Sequence, residues 1–138
     1  MEIEVIKEKL VYLREILNKL EIRFAKYNKE TNQEDKETLF IAISKLCEKV
    51  IEIAININNK LLEANNDYAS TYYQTFEKLK KYYKIDEKII KKLAQSTSIR
   101  NKVAHEYENL LKEQKIEKFK EISEIYNEYI KIINKIIK

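Results

Sequence analysis

The stretch that decides the fold is Leu39–Leu62, LFIAISKLCEKVIEIAININNKLL. Leu39, Ile43, Leu46, Val50, Ala54, Ile57 and Leu61 recur in steps of three and four, so they share one side of a helix. Phe40, Cys47, Ile51, Ile55 and Leu62 make a second stripe beside the first. Two adjacent stripes give an apolar face wider than a surface helix needs, as expected for the central helix of a bundle. The spacing predicts a helix from about Glu34 to Ala64. Thr31 or Asn32 can cap it, and Glu34, Asp35 and Glu37 suit the positive end of its dipole. Glu48, Glu52 and Asn56 stand at i, i+4 and i+8 and form one polar line. That line is either a solvent ridge or a row of acceptors turned toward a site.

The flanking segments carry the same period. From about Glu2 to Tyr27, the residues Ile3, Ile6, Leu10, Leu13, Leu17, Leu20, Phe24 and Tyr27 keep a heptad stripe. Other apolar helices follow closely, which favours a bundle helix over a coiled-coil seam. Asn28–Gln33 and Asn65–Asp67 read as polar breaks. A third helix is expected from about Ala69 to Tyr83, with Tyr72, Tyr73, Phe76, Leu79, Tyr82 and Tyr83 at helical spacing. Its aromatics read as core more readily than as a stacking surface for bases. Asp86 is a candidate cap for a fourth helix with Ile89, Ile90, Leu93 and Ala94, which Gln95–Ser98 can kink and which should fray near Asn109. A last helix is expected from about Gln114 to Ile137. Its stripe is Ile116, Phe119, Ile122, Tyr126, Tyr129 or Ile130, Ile133 and Ile137. The fold class is all-α: one domain over residues 1–138, an up-and-down bundle of four or five helices.

Composition agrees and excludes several functions. The 138 residues contain no glycine, proline or tryptophan. Phosphate-cradling loops need glycine, so P-loop and dinucleotide fingerprints are ruled out. Cys47 is the one cysteine, which leaves no disulfide framework and no cysteine-based metal site. Charged residues make up 36% of the chain with both signs interspersed, and the net charge of +4 permits RNA binding without demanding it. The opening residues lack the pattern of a secretory signal, and no apolar run has the length of a membrane span. The expectation is a cytoplasmic protein with no membrane contact.

The chemistry is concentrated in Arg100-Asn101-Lys102-Val103-Ala104-His105-Glu106-Tyr107, which holds the one histidine. If the fourth helix continues unbroken, Leu93, Thr97, Arg100, Ala104, Tyr107 and Leu111 fall on one face, and Asn101 and His105 lie together on its flank. Arg100 then interrupts an apolar stripe, and such breaks of pattern gather at functional sites. Histidine moves protons near neutral pH, and arginine grips phosphate oxygens through parallel hydrogen bonds. Together they can cleave RNA without a metal or cofactor. His105 would serve as base on the ribose 2′-hydroxyl or as acid on the leaving 5′-oxygen, and Arg100 would stabilise the phosphorane. One histidine cannot easily be base and acid at once, so a homodimer would supply the second group.

The run R-N-K-V-A-H-E-Y resembles the R-x-x-x-x-H-x-Y signature of HepT-like proteins of the HEPN group (higher eukaryotes and prokaryotes nucleotide-binding). The likeness extends over nearly the whole chain. It takes in an amphipathic opening helix, a long second helix like Ile41–Ile57, a segment like Tyr73–Leu79, the motif and a closing helix. Family members often carry a glycine before the position of Tyr68 and another before the motif, where this chain has Asn65–Tyr68 and Ser96–Ser98. The resemblance implies a HEPN-like, homodimeric RNase toxin of a toxin–antitoxin pair, with Arg100 and His105 catalytic and Asn101 supporting. It further implies a minimal nucleotidyltransferase (MNT-domain) antitoxin that adds AMP to Tyr107. Two other readings compete. One is the nucleotide-binding subunit of a two-component nucleotidyltransferase, in which Arg100 and His105 hold a phosphate and no bond is cut. The other is a purely structural bundle, which leaves Arg100 unexplained.

Overall fold

The computed structural model describes residues 1–99 and 112–138. Five α-helices occur among them: α1 (Ile3–Lys29), α2 (Gln33–Glu63), α3 (Tyr72–Glu77), α4 (Glu87–Ser96) and α5 (Lys112–Ile136). Short 3₁₀ turns at Lys78–Lys81 and Thr97–Ile99 follow α3 and α4. The long helices α1, α2 and α5 pack against one another, and α3 and α4 pack on each other, α3 against α2 and α4 against α5. The expected all-α bundle is what forms.

α2 is the central element, for the reason its sequence suggests. Ile43, Cys47, Val50, Ile51, Ala54, Ile57, Leu61 and Leu62 are buried, and Ile53 closes a further side that the two stripes did not include. Toward the N-terminus of α2, Leu39, Phe40 and Leu46 are half-buried against the core. Asn32 has extended backbone, and its side chain accepts the Asp35 N–H at 3.0 Å, so it is the cap. The polar line divides: Glu48 and Glu52 are half-buried and Asn56 is exposed, with Glu52 3.7 Å from Lys49. On α1 the expected stripe is buried from Ile6 to Tyr27, with Ile16 added. Ile3 lies at the frayed start and is 37% exposed.

The sharpest departure lies between α2 and α4. One helix from Ala69 to Tyr83 was expected; the chain makes the six-residue α3 and then a 3₁₀ turn. Thr71 starts α3 by accepting the Gln74 N–H at 3.1 Å, and the Gln74 side chain accepts from Ser70 N–H at 3.0 Å. This reciprocal bracket resembles a capping box and fixes the helix start three residues later than the apolar pattern suggested. The 3₁₀ turn is tied to the preceding loop through Asp67, which accepts from Tyr82 Oη–H and lies 3.4 Å from Lys78 Nζ. A core reading of the aromatics holds for Phe76 and in part for Tyr83, but Tyr72, Tyr73 and Tyr82 stay in solvent. A six-residue helix offers one buried stripe only, which Thr75 and Phe76 fill, and Leu79 of the 3₁₀ turn continues it.

Elsewhere the loops manage without glycine. Asn66 takes the left-handed conformation after α2, with φ at 55°, while Asn65, Asn66 and Asp67 N–H groups bond back to Leu62 and Glu63 carbonyls. Asparagine tolerates this region better than any other non-glycine side chain. Asp86 caps α4 by accepting the N–H groups of Lys88 and Ile89 at 2.9 and 3.1 Å. On α5 the whole stripe is buried, and Tyr129 and Ile130 share the position left open between them.

Candidate active site

Arg100, Asn101, His105 and Tyr107, the residues singled out by sequence, lie outside the described residues. The structure does define both ends of the chain that carries them. Leu93, Ala94, Ser96 and Thr97 are buried at the end of α4, and Ile99 packs half-buried against the core. Downstream, α5 is described from Lys112, and Ile116 is its first buried side chain among those whose burial is described. α4 and α5, the described elements on either side of the motif in the sequence, pack on each other.

The helix does not run unbroken into the motif. Thr97–Ile99 is a 3₁₀ turn, and the Thr97 hydroxyl donates to Ala94 C=O at 2.7 Å. Polar side chains that bond their own helix loosen its last turn, which the run Gln95–Ser98 foreshadowed. A 3₁₀ turn advances about 120° per residue where an α-helix advances about 100°. The buried stripe through Leu93 and Thr97 holds up to Thr97, where the 3₁₀ turn changes the angular step.

What anchors this launching point is a buried polar network that sequence reading overlooked. Ser96 Oγ donates to Leu93 C=O and lies 2.8 Å from Tyr126 Oη, so the tyrosine is the donor of that second bond. Tyr129 Oη donates to Asn58 Oδ1 at 2.7 Å, with Ala54 C=O farther off at 3.1 Å. The Asn58 amide donates in turn to Thr75 Oγ1 at 3.3 Å, and the Thr75 hydroxyl donates to Tyr72 C=O at 2.7 Å. The rings of Phe76, Tyr126 and Tyr129 meet edge-on or tilted, with centroids 5.6–6.4 Å apart. α2, α3, α4 and α5 are thus pinned together just upstream of Arg100. Burial pushes the Tyr126 and Tyr129 phenols far above their ordinary range, so both stay neutral donors. Asn58 was the available signal. It is a polar residue four positions after Ala54 on the face that carries Leu61, and it is fully buried. A buried amide there requires partners.

Among the described residues, clefts lie on two sides of α4. One of about 460 Å³ lies between α4 and α5 and includes Lys92 and Lys118 with Glu121, Glu124 and Glu128. The other, about 310 Å³, lies between α3 and α4 and includes Tyr73, Lys80 and Lys91. Among the described residues no cluster of His, Cys, Asp and Glu could hold a metal ion, and no helix is long and apolar enough to cross a membrane. Cys47 is buried, and burial holds its thiol well above the ordinary range, which leaves it no role as a nucleophile.

A fold of this kind does not by itself name a function. The comparison with known families is more specific. The family model described as Ribonuclease HepT-like matches residues 6–136, from the first buried residue of α1 to the end of α5. Among curated proteins none matches. A match over nearly the whole length, joined to an all-helical bundle among the described residues and the R-x-x-x-x-H-x-Y run in the sequence, places this chain in the HepT-like ribonuclease family.

Proposed function

We propose that the protein is a metal-independent endoribonuclease and the toxin of a HEPN/MNT toxin–antitoxin pair. The observation that carries this reading is the coincidence of two things: the family match over residues 6–136 and the intact motif Arg100-Asn101-x-x-x-His105-x-Tyr107 in the same chain. That set offers one proton carrier and one phosphate-binding cation per chain, and a second copy supplies the second proton carrier.

In the proposed reaction the ribose 2′-oxygen attacks the adjacent phosphorus and the bond from phosphorus to the 5′-oxygen breaks. A 2′,3′-cyclic phosphate and a free 5′-hydroxyl result. His105 of one protomer takes the 2′-hydroxyl proton, and His105 of a second copy gives a proton to the 5′-oxygen. Arg100 binds the non-bridging oxygens as negative charge gathers on them. Asn101 supports the flank on which His105 acts. The homodimer follows from this division of labour, because each chain brings one histidine.

Tyr107 is the control point. A nucleotidyltransferase antitoxin transfers AMP from ATP to the Tyr107 oxygen, releasing pyrophosphate and the phenolic proton. The new phosphodiester offers Arg100 an anion, and the adenosine fills space meant for RNA.

The test is incubation of purified protein with total RNA, with His105→Ala alongside. Cleavage by the parent alone, with cyclic phosphate ends, supports the proposal. Absent cleavage with retained nucleotide binding would instead favour the binding subunit of a two-component nucleotidyltransferase. Protein co-expressed with its nucleotidyltransferase partner should carry AMP-sized mass additions on the Tyr107 peptide and none in Tyr107→Phe.

A further inference from the structure

The basic charge of this chain is not spread evenly. Between residues 78 and 92 seven lysines stand against only Asp86 and Glu87, a net +5 in a chain whose total is +4. The rest of the protein is therefore close to neutral. On α4, Lys88, Lys91 and Lys92 occupy positions i, i+3 and i+4, and all three are exposed. They form one ridge of amines along the helix. Among the described residues no carboxylate pairs with Lys84, Lys88 or Lys91. An uncompensated basic ridge is the electrostatic footprint of a polyanion.

Exposed tyrosines surround the same segment. Tyr68 is 77% exposed, Tyr72 47%, and Tyr73 and Tyr82 each 37%. Tyr73 borders the cleft between α3 and α4, with Ile90 and Ala94 on its apolar wall. The charges in that cleft largely cancel: Lys80 pairs with Glu87 at 3.0 Å, which leaves Glu77 opposite Lys91. A phosphate gains little there. A nucleobase gains a ring to stack on, an aliphatic wall, and a carboxylate able to accept from an exocyclic amino group. The cleft on the other side of α4 holds Glu121, Glu124 and Glu128 against Lys92 and Lys118, an excess of negative charge that would turn phosphates away.

We propose that the α4 ridge and the α3–α4 cleft form a track for single-stranded RNA, with phosphates on Lys88 and Lys91 and one base stacked on Tyr73. The helix that carries the ridge ends at Ser96, four residues before Arg100 in the sequence. The choice of RNA as occupant rests on the ribonuclease reading. An acidic protein would meet the same lysines but has no need of a base-sized cleft beside a ring.

The test uses the full chain and a labelled single-stranded RNA whose 2′-hydroxyls are methylated, which removes the nucleophile and separates binding from cleavage. Fluorescence anisotropy at several salt concentrations gives the affinity and its salt slope. Lys88→Ala/Lys91→Ala should weaken binding more than about tenfold and flatten the slope by roughly 1.4, since each lost contact to a single strand removes about 0.7. Tyr73→Ala should weaken binding about tenfold, within the range seen for loss of base stacking, while Tyr73→Phe stays within about twofold. All these side chains are exposed, and circular dichroism checks that each variant folds. Unchanged affinity and slope in both sets would overturn the track. So would normal RNA binding combined with lost binding of the antitoxin, which would assign the face to an acidic protein. The expected binding pattern without cleavage of ordinary RNA would keep the track and refute the ribonuclease reading. Cleavage with unaltered KM in every variant would refute the track alone.

Discussion

Replacing Tyr129 by phenylalanine removes one oxygen from the centre of the protein and leaves no cavity. Its cost follows from the network. The Tyr129 hydroxyl has one hydrogen, and the 2.7 Å bond to Asn58 Oδ1 takes it in preference to the 3.1 Å approach to Ala54 C=O. Among the described residues no other donor reaches Asn58 Oδ1, and Asn58 is fully buried. Tyr129→Phe therefore strands a buried acceptor, which costs about 1–3 kcal/mol. Tyr126→Phe is the control. Ser96 loses the Tyr126 donor but keeps its own bond to Leu93 C=O, so the loss is that of one ordinary hydrogen bond, about 0.5–1.5 kcal/mol. The two changes are chemically identical and differ only in what they leave behind. Urea unfolding at fixed protein concentration measures both, since any self-association makes stability depend on concentration. In an Asn58→Leu background the stranded acceptor no longer exists, so Tyr129→Phe should cost about 1 kcal/mol less than in the parent. The reasoning fails if Tyr129→Phe costs less than Tyr126→Phe, or costs the same in both backgrounds.

Three further outcomes are expected. The Asp67 carboxyl is lowered to about 2 from an ordinary 3.8, first by the Tyr82 hydroxyl, then by the Tyr68 N–H and by Lys78. A depressed acid stabilises the fold above its unfolded pKa and stops doing so as pH falls through the folded one. The thermal midpoint of the parent should therefore drop between about pH 4 and pH 2 more steeply than that of Asp67→Asn. Cys47 is buried and its thiolate disfavoured, so a disulfide exchange reagent at pH 8 should label it at the rate of unfolding and not before. Arg100→Ala and His105→Ala should each slow RNA cleavage at least about a hundredfold while leaving the unfolding curve unchanged, and EDTA should leave the parent rate intact.

The helices were legible because each long one repeats its pattern over many turns. Eight buried residues on α1, two stripes on α2 and six stripe positions on α5 outvote any local ambiguity. α3 was not legible in the same way. Over six residues a helical period completes fewer than two turns, and Thr71 and Gln74 decide its start through two hydrogen bonds that hydropathy does not register. The aromatics of this segment were misjudged for a related reason. Spacing tells which side chains share a face, but only the packing of α3 against α2 and α4 decides which face is covered.

The candidate site shows the same division. Side-chain chemistry belongs to residue type, so the sequence alone can nominate Arg100 and His105, with Tyr107 added by the family resemblance: a guanidinium binds phosphate and an imidazole moves protons in any fold. The membership in a ribonuclease family likewise rests on residues 6–136 as a string. Tertiary structure alone decided the rest. It brought Asn58, Thr75, Ser96, Tyr126 and Tyr129 from four helices into two buried hydrogen-bonded groups joined by the Tyr126–Tyr129 ring contact, although Ala54 and Tyr129 stand 75 positions apart in the chain. It ended α4 in a 3₁₀ turn, and it left Tyr73 beside Lys91 at an open cleft. Periodicity along a chain records which residues must leave water. Which of them meet is fixed only when separate helices compete for the same interior volume and every buried polar group must find a partner there.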